Sequence, residues 1–226
     1  MEFVELVAAA AGFFAIHVGV SGTGLRDRIA LRLGNAGFQM VFSLASFLLL
    51  IWMVASYGQA PELIIWHVPV FRWVPIVINP FAVILLVGAF SSPSPTSVGG
   101  DKALKQDHAA RGIFRITRHP FLVAAAMWAA AHIIANGDAA SLILFAAVLG
   151  TALFGPASID AKLRRRSPED FERLARTTSI VPFAAIAQGR TTFSFSEIGM
   201  IRIVGGLALY AVLYYFHEYV SAVALV

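Results

Sequence analysis

The stretch GIFRITRHPFLVAAAMWAAAHIIA, residues 112–135, decides how the rest of the chain is read. Its first part carries Arg115, Arg118 and His119. After Pro120 there is no charge, and His132 is the only ionisable side chain. A basic boundary followed by an apolar run that opens on a proline predicts a helix entering a membrane, because Pro is tolerated in a first turn. Similar runs lie on both sides of it. Phe3–Val20, Phe38–Tyr57, Val74–Phe90, Ala139–Ile159 and Ile198–Phe216 are apolar over about the length a bilayer requires. Asn79-Pro80 predicts a kink in the third of the six, and Gly155-Pro156 falls near the end of the fifth. In hydrocarbon the backbone must satisfy its own hydrogen bonds, so these runs are helices. The predicted fold is all-α: one polytopic transmembrane bundle of about six spans over residues 1–226.

Composition agrees. Of 226 residues, 58% are hydrophobic and 13% charged, with 18 Phe and 4 Trp. Soluble domains run nearer 45–50% and 25%, so one water-facing surface could not hide this much apolar side chain. Disorder is excluded for the same reason. The absence of Cys excludes disulfides, thiolate metal sites and a Cys nucleophile.

The net charge of +4 is topological. Arg26, Arg28 and Arg32 follow the first run. Lys102, Lys105, Arg111, Arg115 and Arg118 precede the fourth. The rest lie from Lys162 to Arg202, and of 17 Lys and Arg only Arg72 falls in an alternate loop. The positive-inside rule then puts both termini outside and three basic loops in the cytoplasm. Basic residues spread over loops without a binding motif do not describe a nucleic-acid partner. Glu2 and Glu5 stand where a signal peptide would be basic, so cleavage is not expected. Ser167-Pro168-Glu169-Asp170 reads as a capped helix start, and Phe171, Leu174 and Ala175 follow at helical spacing. This predicts a cytoplasmic, interfacial amphipathic helix, with Arg164–Arg166 anchoring on membrane lipids.

Ionisable groups inside a membrane are functional candidates. His17 and His132 lie within spans, and His119 lies at the entry of the fourth. His67 and His217 fall near the outer ends and His108 in a charged loop. The residues allow three readings of His17 and His132: histidines bonded to neighbouring helices, a proton relay, or ligands to a metal or haem. No carboxylate or thiolate lies near them in sequence, so bare zinc or di-iron is poorly supported. Ala124–Ala126 and Ala129–Ala131 leave a low face that would admit a flat group, or would serve close helix packing. Depth complicates the pair. At 1.5 Å per residue, His17 lies roughly 22 Å inward from Glu2 and His132 roughly 20 Å outward from His119. In a core about 30 Å thick the two levels differ by roughly 10 Å, and on depth alone His119 suits His17 better.

Taken together, His17 with Ser21-Gly22, Leu25-Arg26, Leu33-Gly34, Gly112–Pro120, Trp128, His132, Asn136-Gly137, Leu153-Phe154-Gly155, Asp160, Arg176–Ile186 and Gly189-Arg190 resemble the NnrU family of bacterial membrane proteins. That family includes the plant and cyanobacterial 15-cis-zeta-carotene isomerases. The resemblance implies a bacterial inner-membrane protein with a b-type haem whose iron is held by His17 and His132, with His119 as geometric rival. It implies redox-dependent cis-trans isomerisation of a lipophilic polyene. Arg118 and Arg115, at the cytoplasmic entry, are candidates to pair with the haem propionates, or serve as positive-inside anchors. The isomerase has a Cys three residues before its second ligand, where Ala129 stands here. The family's association with denitrification points instead to a non-catalytic haem sensor or electron relay in nitrite and nitric oxide metabolism. The order Arg118-His119-Pro120, then Asp160, also resembles membrane methyltransferases that use S-adenosylmethionine, although Phe121 stands in place of their Tyr and their acidic pair is reduced to Asp160.

Overall fold

The computed structural model describes residues 3–106 and 108–221. Glu2, the origin of one depth estimate, lies outside them. The long helices are α1 (Val4–Ala15), α2 (Gly24–Tyr57), α3 (Trp73–Phe90), α4 (Pro120–Asn136), α5 (Ala139–Arg166), α6 (Pro168–Thr177) and α7 (Met200–Tyr215). The chain is all-α, and four segments are long and apolar enough to cross a membrane: Val4–Ser21, Gly24–Tyr57, Pro69–Phe90 and Ala139–Arg166. The apolar helices α4 and α7 are shorter. Met40, Phe47, Leu153 and Ile201 are at least 60% exposed on these helices, a surface suited to lipid rather than water.

Two helices exceed their apolar runs. α2 begins at Gly24, where Thr23 Oγ1 accepts from Leu25 N at 3.3 Å, so the Arg26–Arg32 segment is helical rather than loop. Its one break is Gly34, at φ 73°, ψ 165°, a left-handed conformation that a Cβ would strain. α5 runs past Pro156 to Arg166, and Asp160, the first acid in it, is paired with partners described below. Pro80 sits inside α3 without ending it.

The chain divides into two compact units. Unit 1 is residues 1–74 with 129–158, and unit 2 is residues 75–128 with 159–226. Unit 1 is built on Leu6, Ala9 and Ala10 of α1, Met53 of α2, Ala129 of α4, and Ala140, Leu144, Phe145 and Ala147 of α5, with Phe13 packed against them. The loop after α2 is pinned to the α4–α5 turn, Ile65 N donating to Gly137 O at 2.8 Å and Ala139 N to Leu63 O at 2.9 Å.

Unit 2 has two apolar clusters. The first joins Ala82 and Leu85 of α3 to Ile113, Phe114, Ile116, Ala124 and Ile198. Gly206 lets α7 approach α3, since a Cβ there would lie 2.8 Å from the Ile84 Cα. The second shows what the amphipathic α6 does with its apolar face: Phe171 and Leu174 are buried against Leu104 and Leu163 of the chain itself. Pro168 and the acids Glu169 and Asp170 occupy its first turn as expected. The Ser167 hydroxyl makes no capping bond; its carbonyl accepts from Phe171 N at 2.9 Å instead.

Candidate functional site

His17 does not sit in α-helix. Ile16–Ser21 is a π-helical turn continuing α1, a rare geometry that concentrates at functional sites. Nothing in the apolar pattern marks it, so sequence reading passes over it. Within the turn His17 Nδ1 lies 2.7 Å from Phe13 O. A carbonyl only accepts, so Nδ1 carries the proton and Nε2 presents its lone pair. Ligating histidines are held in this way, with the second nitrogen bonded and the first aimed. The ring packs on Phe13 at 4.3 Å and edge-on to Phe42 at 5.2 Å.

His132 projects from α4 and stacks on Phe145 at 4.9 Å and 26°. Phe145 is part of the unit 1 cluster and Phe13 packs against that cluster, so the two histidines flank one apolar core. The alanines of α4 differ in burial. Ala124, Ala129 and Ala131 are buried in helix packing, and Ala125, Ala126 and Ala130 are half-buried.

His119 belongs to a different arrangement. Its Nε2 lies 2.8 Å from Asp160 Oδ1, and Arg118 Nε lies 3.1 and 3.0 Å from the two oxygens of the same carboxylate. Arg118 Nη2 adds a further bond to Asp160. The imidazole is 1% exposed and the carboxylate 7%. A histidine closed in this tightly has no open face for a flat ligand. Asp160, on which the methyltransferase reading leans, is committed to both partners. The segment after α6 seals the cluster: Arg118 N donates to Ser179 O at 2.9 Å, Thr117 Oγ1 to Ile180 O at 2.8 Å, and Phe183 N to Ile116 O at 2.8 Å. Arg190 Nη1 ties down the end of α6 through the carbonyls of Ala175, Arg176 and Thr178.

Arg115 is paired as well. Its Nη2 donates to Glu197 Oε1 at 3.0 Å and its Nη1 to Thr192 Oγ1 at 3.0 Å. Arg115, Arg118 and His119 therefore belong to unit 2, and His17 and His132 to unit 1. The Glu197 and Asp160 partnerships join residues far apart in sequence, and no local motif announces them. Among the described residues, no group of three or more His, Cys, Asp or Glu is placed to hold a bare metal ion. His67 and His108 are exposed.

The model of the NnrU protein family matches residues 5–225, nearly the whole chain and both units. The chain belongs to the NnrU family. The curated relatives it resembles are 15-cis-zeta-carotene isomerases of chloroplasts. Those of Arabidopsis thaliana and Zea mays are each 40% identical over 79 residues, which is 35% of this chain and 22% of theirs. The match thus spans about a fifth of those isomerases' length. No solved structure matches this NnrU protein.

Proposed function

We propose that this membrane protein binds a b-type haem with His17 and His132 as axial ligands and acts on a lipophilic polyene of the zeta-carotene kind. The observation that carries the reading is the state of His17: Nδ1–H tied to a backbone carbonyl inside a π turn, with the lone pair of Nε2 left to ligate. The donor chemistry suits the group, since imidazole is a common axial ligand. Two imidazoles flank one apolar cluster in one unit, each ring lying on a phenyl ring, and a porphyrin needs such an apolar, aromatic setting. When bound, the haem supplies an iron centre whose oxidation state and ligand affinity are set by its axial ligands and their surroundings.

The chain's own residues do the rest. Phe13 O orients His17, and Phe13, Phe42 and Phe145 keep water from the imidazoles. The lipid-suited faces of α2 and α5, with Phe47 and Leu153 among them, give an apolar substrate a route in from the side. The relatives' activity supports the polyene. The charge distribution supports basic loops in the cytoplasm and both termini outside, and the resemblance to the NnrU family is what suggests a bacterial inner membrane.

Ala129 favours a second reading. It is fully buried, and the chain has no Cys, so no thiol can exchange with a ligand beside His132. A haem protein that relays electrons or senses nitric oxide needs no such exchange.

Absorption spectra of the protein purified in mild detergent and supplied with haem test both readings. A Soret band is expected, lost in His17→Ala and His132→Ala and kept in His119→Ala. No band in the wild type would sink the haem reading. With haem bound, cis-zeta-carotene is expected to give the trans-shifted isomer. No turnover together with a nitric oxide adduct would select the relay or sensor.

A further inference from the structure

Unit 2 holds a cavity of about 250 Å³ between the carboxyl end of α6 and the loop that precedes α4. Its polar lining is Gln106, His108, Arg115, Arg173, Thr177 and Thr191, and two alanines beside them leave it room. Pockets for whole small molecules run about 300–1,000 Å³, so this one suits a single compact group rather than a porphyrin or a polyene. The described lining carries two guanidiniums and no carboxylate. We propose that the cavity binds a phosphate group, free or on a lipid headgroup, through Arg173 and Arg115, with the Thr191 hydroxyl as a further donor. The site is separate from the haem reading, whose histidines lie in unit 1.

Arg173 and Thr177 are four residues apart on α6 and so share a face. Arg173 Nη2 donates to Asp170 Oδ1 at 2.7 Å and to Leu104 O at 3.3 Å. Its Nε is buried and has no hydrogen-bond partner among the described residues. A buried guanidinium N–H without an acceptor is costly, and an oxyanion in the adjoining cavity would supply one. Arg115 is fixed by Glu197 and Thr192, and its Nη1 reaches Thr191 Oγ1 at 3.5 Å, which sets a positive group beside a hydroxyl. The carboxylates on Arg173 and Arg115 are 22% and 35% exposed, and ion pairs of that kind are weak enough to share their cation with a ligand. The planar fork of a guanidinium matches phosphate oxygens.

Two features that would repel an anion are covered. The carbonyl end of α6 is taken up by Arg190 Nη1, which donates to Ala175, Arg176 and Thr178. Glu172, next to Arg173, pairs with Arg164 Nε at 3.1 Å. Exposed Lys105, Arg111 and Arg176 adjoin lining residues in sequence, as does Asp107, which lies outside the described residues.

The probes are inorganic phosphate and dioctanoyl phosphatidic acid, with chloride and dioctanoylglycerol as their phosphate-free controls. Each is titrated calorimetrically into the whole protein in maltoside micelles. Arg173→Gln is expected to weaken binding by roughly tenfold or more, as loss of a charge-assisted contact implies. Arg173→Lys should recover part of that, and Thr191→Val, which keeps both guanidiniums, should cost roughly threefold or more. Arg176→Gln removes the same charge from an exposed neighbour and should cost less than about twofold. Near-UV circular dichroism at wild-type values shows that each variant is folded. Binding of phosphate without the lipid assigns a free phosphate ligand, and binding of the lipid alone assigns a headgroup. A wild type that binds neither probe at millimolar concentration overturns the proposal. So does a loss in Arg173→Gln no larger than in Arg176→Gln, since diffuse charge would then explain the binding.

Discussion

His17 and His119 are the same residue type at membrane-associated positions, and the fold treats them oppositely. His17 is half-buried, gives one nitrogen to a backbone carbonyl and keeps the other. His119 is sealed, and it shares Asp160 with Arg118. A neutral carbonyl orients an imidazole without claiming charge, so that ring stays available to a ligand. A carboxylate shared with a guanidinium makes the ring part of an internal ion cluster, whose value lies in joining α4, α5 and the segment after α6. Sequence depth alone favours His119 as partner to His17; its enclosure argues for a structural role.

Substitutions that separate the two regions break or sharpen this contrast. The largest effect is expected from Asp160→Ala, which strands Arg118 with its charge buried. It should cost about 3–5 kcal/mol, read as a fall in Tm in detergent. A Tm near wild type would dissolve the idea of a structural cluster. Phe171→Ala should cost about 3–5 kcal/mol, because the ring is fully enclosed between α6 and its neighbours. If α6 instead lay open to lipid, the loss would be far smaller. Thr117→Val leaves the Ile180 carbonyl without its donor and should cost about 1–3 kcal/mol by the same measurement. On the other side of the comparison, His17→Ala should cost the apoprotein about 1 kcal/mol, the loss of one hydrogen bond, while abolishing haem uptake. A large loss of stability there would make His17 structural too.

The apolar helices were legible because hydrocarbon demands length and hydropathy, and both are written locally; of the six runs, four are helices long enough to cross and two are shorter. Helix ends were less so. The first turns of α2 carry Arg26, Asp27 and Arg28, which are compatible with helix but interrupt no-charge counting, and the partners of Asp160 in α5 lie 41 and 42 positions away. Their place inside apolar runs marked His17 and His132 as candidates, and the resemblance made them a ligand pair. The pairings that separate them from His119 depend on contacts no local pattern encodes: Arg118 with Asp160, and Arg115 with Glu197. The π turn at His17 depends on which backbone register wins, and a run of apolar residues is silent on that.

The most direct test is the spin state of the ferric, haem-loaded protein by electron paramagnetic resonance. The account predicts a low-spin bis-imidazole signal in wild type and in a folded His119→Gln variant, converted to high spin or lost in His17→Ala and in His132→Ala. A low-spin signal that survives both of those substitutions, or one that disappears in His119→Gln while the protein keeps its fold, would contradict it.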